Sequence, residues 1–196
     1  MSCSKIDKVG DVMKMDSEQL GGRLYWTSCT MEQWQFVIAA TDEGLVYVDR
    51  EMEPCQEFLR WAERTYPQSS LMRDDEWMRP YVTELREYWL GVRMEFSLPI
   101  VLHGTDFQRA VWNALRDITL GETRSYADIA EQIGRPKAVR AVGAAVGANP
   151  LMIVVPCHRV IGKDGALTGF SGGLDLKVRL LEIEGRSAKD GYVQYV

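Results

Sequence analysis

The alternation of hydrophobic and polar positions divides the chain into two halves of different character. In the first half, short segments rich in β-branched and aromatic residues alternate with polar turn residues, which is typical of antiparallel strands. The predicted strands are LYWTSC (24–29), WQFVIAAT (34–41) and GLVYVD (44–49). Apolar residues at helical spacing follow near Pro54–Arg64 and Pro80–Leu90. This half is therefore predicted to form a small α+β domain with an aromatic core.

The second half is predicted to be mainly helical, and two capping patterns mark where helices begin. Thr105 and Gln108 have the spacing of a capping box. Ser125 and Asp128 repeat that spacing and open a shorter helix that reaches about Ile133. The apolar stripe predicted for the first of these helices consists of Phe107, Ala110, Val111, Ala114 and Leu115.

A third helix is predicted after the turn Gly134-Arg135-Pro136, because proline suits the first turn of a helix. Two short helices joined by a turn that contains glycine indicate a helix-turn-helix. The third helix has an apolar face and a small, basic face that can approach a phosphate backbone closely. An alanine-rich surface helix chosen for its helix propensity is the alternative. The apolar face holds Val139, Val142, Gly143 and Val146, and the basic face holds Lys137, Arg140, Ala141 and Ala144.

The predicted organisation is a flexible arm at residues 1–20, an N-terminal domain at 21–99 and a C-terminal domain at 100–196. The boundary is placed in the extended segment VRMEFSLPIVLHG (92–104), where Pro99 disfavours helix. The expected fold class is α+β. A small N-terminal antiparallel sheet with helices precedes a mainly helical, winged-helix-like domain that contains the helix-turn-helix.

The charge is distributed unevenly between the two halves. The chain has a net charge of −5, but residues 1–99 contribute −7 and residues 100–196 contribute +2. Between residues 124 and 163 there are six Lys and Arg side chains against two acidic ones. The second half can therefore present a basic surface to a nucleic acid, although a solvated face would have the same composition.

Neither a membrane span nor a signal peptide is predicted. No stretch approaches the roughly 18 uninterrupted apolar residues that a transmembrane helix needs. The first residues, MSCSKIDKVGDVMKMD, lack the apolar centre of a secretory signal. We therefore expect a cytoplasmic protein that has no membrane partner.

The stretch VVPCHRVIG (154–162) places the reactive pair Cys157-His158 in a chain that has only four Cys and two His. Cys157 follows the apolar run LMIVVP, which predicts a buried strand ending at Pro156. An imidazole and the nearby Arg159 can favour the thiolate, whereas an apolar pocket would leave the thiol inert. A carboxylate is the natural group to orient the imidazole, and Glu182 and Glu184 on the last predicted helix are both candidates.

Five motifs together are specific. GTDFQRAVW, SYADIA, RAVGAAVGANP, PCHRVIG and GFSGGL occur in this order between residues 104 and 186. This set resembles the O6-alkylguanine-DNA alkyltransferases, the methylated-DNA protein-cysteine methyltransferases. The resemblance implies DNA repair by direct damage reversal, in which the cysteine of PCHR takes the alkyl group from O6 of guanine and is not regenerated.

The resemblance also implies roles for individual residues. Cys157 matches the alkyl acceptor, His158 the water-mediated base, Glu184 its partner, and Asn149 the asparagine that fixes the active-site turn. Tyr126 matches the tyrosine that rotates the nucleotide and hydrogen-bonds the flipped base, and Arg140 matches the arginine that fills the vacated space in the stack. The base pocket is expected to comprise Val155, Arg159, Phe170 and Ser171, with the carbonyls of Val155 and Cys157 holding the guanine amine. The expected DNA-binding residues are Tyr126, Lys137, Ala138, Arg140, Ala141, Gly143 and Ala144.

The expected partner is double-stranded DNA that contains O6-alkylguanine, bound by a monomer. Neither a metal nor an organic cofactor is expected, because a thiolate and hydrogen-bond donors suffice for the transfer. Phe170 stands where a tyrosine often occurs in the family, so an aromatic wall is kept and a hydroxyl is lost. The cysteine-rich domain of family members that also activate transcription is not evident, which favours a pure repair role.

Two other functions fit part of this pattern. A DNA-binding module without chemistry, like the alkyltransferase-like proteins, would carry tryptophan at the position of Cys157. A Cys-His hydrolase would need the reactive pair, but it would not explain the helix-turn-helix or the helix that carries Arg140.

Overall fold

The computed structural model describes residues 21–51, 55–189 and 191–193. The chain divides into two compact units: one runs up to Arg86 and includes Ser97–Val101, and the other contains Glu87–Phe96 and the chain from Leu102 onward. The predicted arm at residues 1–20 lies outside the described residues. Within the described ranges, no helix is both long and apolar enough to cross a membrane.

The first unit is built on a four-stranded sheet in the order β3-β2-β1-β4. Its strands are β1 (Gly21–Met31), β2 (Trp34–Thr41), β3 (Gly44–Arg50) and β4 (Ser69–Arg73). The first three pair antiparallel, as the sequence predicted, and β4 joins the edge of β1 in parallel. The strand β4 was missed because its segment SSLMR lacks a regular alternation of apolar and polar residues.

The core of this unit forms where helix α1 (Gln56–Thr65) covers the sheet. Phe58 of α1 packs with its ring centre 5.7 Å from that of Trp26 and 5.3 Å from that of Tyr47. Burying a side chain of this size contributes roughly 1.5–3 kcal/mol to folding. Helix α2 (Arg79–Trp89) follows, and its last residues belong to the second unit.

The second unit contains the predicted helix-turn-helix. Helix α3 (Asp106–Arg116) packs against α4 (Tyr126–Gln132) and α5 (Val139–Gly147), which also contact each other. Both predicted capping boxes are confirmed. The buried side chains of α3 are those of Val111, Trp112, Ala114 and Leu115, and the indole of Trp112 donates to the Ala145 carbonyl at 2.8 Å. Ala110 is exposed, so the predicted stripe was wrong at that position.

Short elements complete the second unit. Strand β5 (Arg124–Ser125) pairs in parallel with β6 (Val160–Ile161). Helix α6 (Leu174–Ile183) follows, and β7 (Ala188–Lys189) pairs antiparallel with β8 (Tyr192–Val193). Together with the first unit this is the α+β fold that the sequence predicted.

The predicted strand at residues 151–156 is wrong, because this segment forms a series of turns. Its backbone groups bond locally, Val154 N–H to the Met152 carbonyl and Val155 N–H to the Leu151 carbonyl. Ile153 has a φ of 74°, a left-handed conformation that is costly for a β-branched residue. The apolar side chains are buried as expected, apart from the half-buried Val154, but burial does not require strand pairing. A 3-10 helix, Cys157–Arg159, follows directly.

Candidate active site

Cys157 stands at the start of the 3-10 helix and borders a cavity of about 540 Å³. Its thiol forms no disulfide, and only 3% of the residue is exposed. Because the chain turns at Pro156 instead of continuing as a strand, Cys157 and His158 are not forced onto opposite sides of an extended segment. The turn therefore satisfies the condition under which these two neighbours can cooperate.

Asn149 holds this turn through both ends of its amide group. Its Nδ2 donates to the Val155 carbonyl at 2.9 Å and to Cys157 Sγ at 3.2 Å, while its Oδ1 accepts from Leu151 N–H at 3.0 Å. A hydrogen-bond donor aimed at sulfur favours the thiolate over the thiol. Asn149 thus fixes the turn and stabilises the charged form of the nucleophile in one arrangement.

The imidazole of His158 is held in one tautomer by Glu184. His158 Nε2 lies 2.9 Å from Glu184 Oε1, and both side chains are completely buried. An ionised carboxylate only accepts hydrogen bonds, so Nε2 carries the hydrogen and Nδ1 of the neutral ring is the free acceptor. Nδ1 is buried and has no partner among the described residues. A water molecule between Nδ1 and the thiol would complete a path for its proton.

Glu184 accepts hydrogen bonds from several buried donors. Arg159 donates to both carboxylate oxygens, Nε to Oε2 at 2.9 Å and Nη2 to Oε1 at 2.8 Å. Tyr88 Oη donates to Oε1 at 2.6 Å. Burial alone would raise the pKa of Glu184, but the hydrogen bonds from His158 and Arg159 and the charge of Arg159 outweigh burial and hold this pKa well below its ordinary value. Glu184 is therefore ionised at neutral pH.

Burial also determines the charge of the imidazole. It lowers the pKa of His158 below the ordinary value, against the opposing effect of Glu184, because a buried cation loses its hydration. Arg159 and Lys177 act in the same direction as burial. His158 is consequently neutral at physiological pH and can accept a proton.

The cavity is lined by residues from α4, α5 and the loop before α6. Tyr126, Arg140, Phe170 and Ser171 are among the lining residues, together with Cys157. Thr168 Oγ1 donates to Tyr126 Oη at 3.5 Å. The structure therefore brings together the predicted nucleophile, the predicted base-binding tyrosine and the predicted loop residues.

Lys177, which the sequence analysis missed, braces this loop. It is fully buried on α6, and its Nζ donates to the carbonyls of Val160 at 2.6 Å and Thr168 at 3.0 Å. Burial lowers the pKa of Lys177 to about 8. Its position three residues before Leu180 and seven before Glu184 puts all three on one helix face, which is the signal that could have revealed it. Leu174, the first residue of α6, is 47% exposed, so the buried face of this helix begins after it.

The helix predicted to approach DNA has the expected exposed face. Lys137, Arg140, Ala141 and Ala144 are exposed, and Ala138 and Gly143 are half-buried. The ring of Tyr126 lies close to Gly143. Two details differ from the prediction. Helix α5 begins at Val139, so Lys137 and Ala138 precede it. Val139, at the first turn of the helix, is exposed and borders the cavity instead of packing inward.

Two residues predicted for the base pocket do not line the cavity. Arg159 is buried, with its guanidinium on Glu184 and the Ile118 carbonyl, because the buried carboxylate needs a counter-charge. Val155 is also buried, and its carbonyl already accepts from Asn149 Nδ2 and from Cys157 N–H. Both lone pairs of that oxygen are therefore occupied, so the expectation that the Val155 carbonyl holds the guanine amine is wrong.

The geometry shows which of the two candidate carboxylates is the partner of His158. Glu184 contacts His158, whereas Glu182 is exposed and lies 3.9 Å from Arg179. Among the described residues, no group of three or more Cys, His, Asp and Glu side chains could hold a metal ion.

Two family profiles match the chain. The one described as "6-O-methylguanine DNA methyltransferase, DNA binding domain" covers residues 106–186. The one described as "6-O-methylguanine DNA methyltransferase, ribonuclease-like domain" covers residues 24–102. The reactive pair, Tyr126 and Glu184 all lie in the first match.

Similar proteins of known name agree with these profiles. The inducible methylated-DNA–protein-cysteine methyltransferase of Bacillus subtilis is 49% identical over 167 residues, which cover 85% of this chain and 93% of that protein. The methylated-DNA–protein-cysteine methyltransferase of Methanosarcina acetivorans is 43% identical over 76% of this chain and 90% of its own length. The crystal structure of Mycobacterium tuberculosis OGT in complex with DNA matches with a TM-score of 0.71 and 39% identity, covering 82% of this chain and 92% of that one.

Proposed function

Since the chain belongs to the 6-O-methylguanine DNA methyltransferase family, we propose that it takes the alkyl group of an O6-alkylguanine in duplex DNA onto Cys157. It is a DNA-binding repair enzyme of the methylated-DNA–protein-cysteine methyltransferase type. The observation that carries the finer assignment is the placement of Cys157 Sγ beside both the cavity and the amide of Asn149.

The site's side chains, water and the substrate account for every proton and electron pair of the transfer. The thiol proton passes through water to His158 Nδ1, and the thiolate attacks the alkyl carbon as the bond from that carbon to guanine O6 breaks. The guanine anion that leaves is protonated, with Tyr126 as the proton donor and Ser171 as a hydrogen-bond donor to O6. Tyr126 then recovers a proton from the protonated His158 through solvent. The products are S-alkylcysteine and unmodified guanine.

The same chemistry predicts a single turnover for each protein molecule. A thioether has no good leaving group, and Cys157 is the one thiol among the described residues that line the cavity. Cys157 therefore keeps the product, and repair consumes the protein in a one-to-one ratio.

Reaction in duplex DNA requires the damaged base to leave the stack, because an in-line attack on a stacked alkyl group is blocked. Extrusion costs a few kcal/mol. Arg140 is exposed beside the cavity, where its side chain can occupy the space that the base leaves. The small residues of α5 would let the helix approach the minor groove closely without reading much sequence.

We also propose that the protein acts as a monomer. The nucleophile, the base, its carboxylate partner and the cavity are all supplied by one chain. No second copy is needed to complete the site.

The substrate side of the proposal is tested by nucleoside analysis. A duplex with one O6-methylguanine is incubated with increasing protein, digested, and assayed by liquid chromatography for O6-methylguanine and guanine. We expect one lesion to be converted per protein molecule. Cys157→Ser should convert none, while the matched variant Cys29→Ser should behave as wild type, because Cys29 is a buried thiol whose burial raises its pKa to about 11. Conversion of many lesions per protein molecule would contradict the proposal.

A further inference from the structure

A buried tyrosine outside the matched DNA-binding domain contacts the acid–base pair of the active site. Tyr88, near the end of α2, donates its hydroxyl to Glu184 Oε1 at 2.6 Å and lies 3.4 Å from His158 Nε2. Only 1% of the residue is exposed, and it belongs to the same compact unit as Glu184. Tyr88 precedes residue 106, where the profile of the DNA-binding domain begins. Its contact with Glu184 spans 96 residues of sequence.

Tyr88 shares one oxygen atom with the imidazole. Oε1 of Glu184 accepts from Tyr88 Oη, His158 Nε2 and Arg159 Nη2, at 2.6, 2.9 and 2.8 Å. The hydroxyl bond is the shortest of the three, and a bond from a neutral donor to a carboxylate is among the stronger kinds. The position and electron density of Oε1 therefore depend on Tyr88 as well as on the charged partner.

We propose that Tyr88 is a positioning residue for alkyl transfer, whose hydroxyl fixes the oxygen that receives Nε2–H of His158 and limits the basicity of that ring. This inference rests on the function proposed above and extends it to a residue from the segment before the DNA-binding domain. Tyr88 does not border the cavity, so it acts on the substrate only through His158.

The physical reason is competition for the carboxylate. A hydroxyl donor on Oε1 draws negative charge from the oxygen, so the same oxygen stabilises an imidazolium less. When the hydroxyl is removed, Glu184 stays ionised through Arg159, and its attraction for the protonated ring increases. His158 then becomes a stronger base and is protonated at higher pH, which removes the acceptor of the thiol proton. The ionisable groups that face His158 are Tyr88 on α2, Cys157 and Arg159 on the 3-10 helix, and Lys177 and Glu184 on and directly after α6.

Tyr88→Phe isolates the hydroxyl from the ring. The aromatic ring packs with its centre 5.4 Å from that of Phe96, and phenylalanine keeps this packing. A matched control is Tyr47→Phe in the first unit, because Tyr47 is also buried and also donates to a carboxylate, Asp49 Oδ2, at 3.4 Å. Both variants lose one buried hydroxyl, but only one of these hydroxyls lies at the reactive centre.

The test measures the second-order rate constant for alkylation by free benzylguanine from pH 5 to pH 9. For Tyr88→Phe we expect the acidic limb of the profile to move up by about one pH unit, since a hydrogen bond to a charged group is worth about that much. The deficit relative to wild type should reach about tenfold at the acidic end and shrink as the pH rises. Tyr47→Phe should follow the wild-type profile. A superimposable profile, or one lowered by the same factor at every pH, would overturn the inference.

A second measurement does not depend on catalysis. The chain has two histidines, so ¹⁵N-histidine labelling resolves His158, with His103 as the internal reference. In wild type, Nε2 should be the protonated nitrogen of the neutral ring, and its proton should show a nuclear Overhauser effect to the Tyr88 hydroxyl proton. In Tyr88→Phe the titration of His158 should move to higher pH. If the wild-type protein converts no O6-methylguanine in the duplex assay described above, the proposed function fails; if it does so but neither the rate profile nor the titration of His158 moves in Tyr88→Phe, only the role of Tyr88 fails.

Discussion

Asn149→Asp changes the atoms that hold the nucleophile while keeping the shape of the side chain. The carboxylate can still accept from Leu151 N–H through Oδ1. The donor that lies 3.2 Å from Cys157 Sγ becomes an oxygen, and the Val155 carbonyl loses its side-chain donor as well. The substitution therefore removes the hydrogen bond to sulfur and places a negative charge in the same position.

The magnitude follows from these contacts. A hydrogen bond to a charged group contributes about 1.5–3 kcal/mol, and loss of that bond alone reduces the thiolate population roughly tenfold to a hundredfold. If the new carboxylate is ionised, two negative charges 3.2 Å apart repel each other by about 5 kcal/mol at an effective dielectric constant of about 20. We therefore expect the alkylation rate constant at neutral pH to fall by at least about tenfold.

The assay is alkylation of Cys157 by benzylguanine, followed by intact-protein mass spectrometry at timed intervals. Asn149→Ala serves as the comparison, because it removes the donor without adding charge and should lose less activity than Asn149→Asp. Near-ultraviolet circular dichroism establishes that each variant retains its packing. A folded Asn149→Asp protein that reacts within twofold of wild type would refute the assignment of Asn149 as the stabilising donor.

Two further predictions concern DNA engagement and pH. Arg140→Ala should slow repair of a duplex lesion more than the reaction with free benzylguanine. The control Arg135→Ala, which removes an exposed arginine outside the cavity lining, should affect the two substrates equally. Equal losses for Arg140→Ala in matched kinetic assays would contradict its role in base extrusion. Because the pKa of His158 and the pKa of Glu184 both lie below their ordinary values, the unfolded chain binds more protons than the folded one as the solution is acidified. The free energy of unfolding should therefore fall as the pH drops below about 6.5, first through His158 and then, below about 4.5, through Glu184. Urea unfolding at pH 7.5 and 5.5 checks this sign, and greater stability at pH 5.5 would argue against a buried neutral imidazole.

Much of the fold could be predicted from local sequence patterns. Three strands of the first unit follow from short runs of β-branched and aromatic residues separated by polar turn residues, and the capping boxes at Thr105 and Ser125 appear in the structure with the predicted partners. These features depend on residues within a few positions of one another, where periodicity and side-chain chemistry act directly. The predicted boundary between residues 99 and 100 stays a prediction. The compact units divide the chain after Arg86, Phe96 and Val101.

The strand at residues 151–156 was wrongly predicted because burial of a segment does not determine its backbone conformation. LMIVVP is buried except at Val154, which is half-buried, yet Ile153 adopts a left-handed conformation and the segment bonds to itself in turns. Hydrophobicity alone reports that a segment lies inside, and it cannot distinguish a strand from a compact turn.

The active site shows the corresponding limit for function. The spacing of residues left Glu182 and Glu184 equal, and the choice came from family resemblance before geometry agreed with it. Arg159 was expected at the base pocket, but its guanidinium contacts the buried carboxylate of Glu184 instead. Tyr88 could not be found from spacing at all, because its partner lies 96 residues away and the contact exists only after folding.

The central claim is that Cys157 accepts the alkyl group and keeps it. Wild-type protein and excess duplex containing O6-methylguanine are incubated together, and the protein is then analysed by intact mass and by peptide mapping. The account predicts one added methyl group per chain, located in the peptide that contains Cys157, and no further change on prolonged incubation. An unmodified mass from folded protein with demonstrated DNA binding, or a methyl group on a different residue, would contradict it.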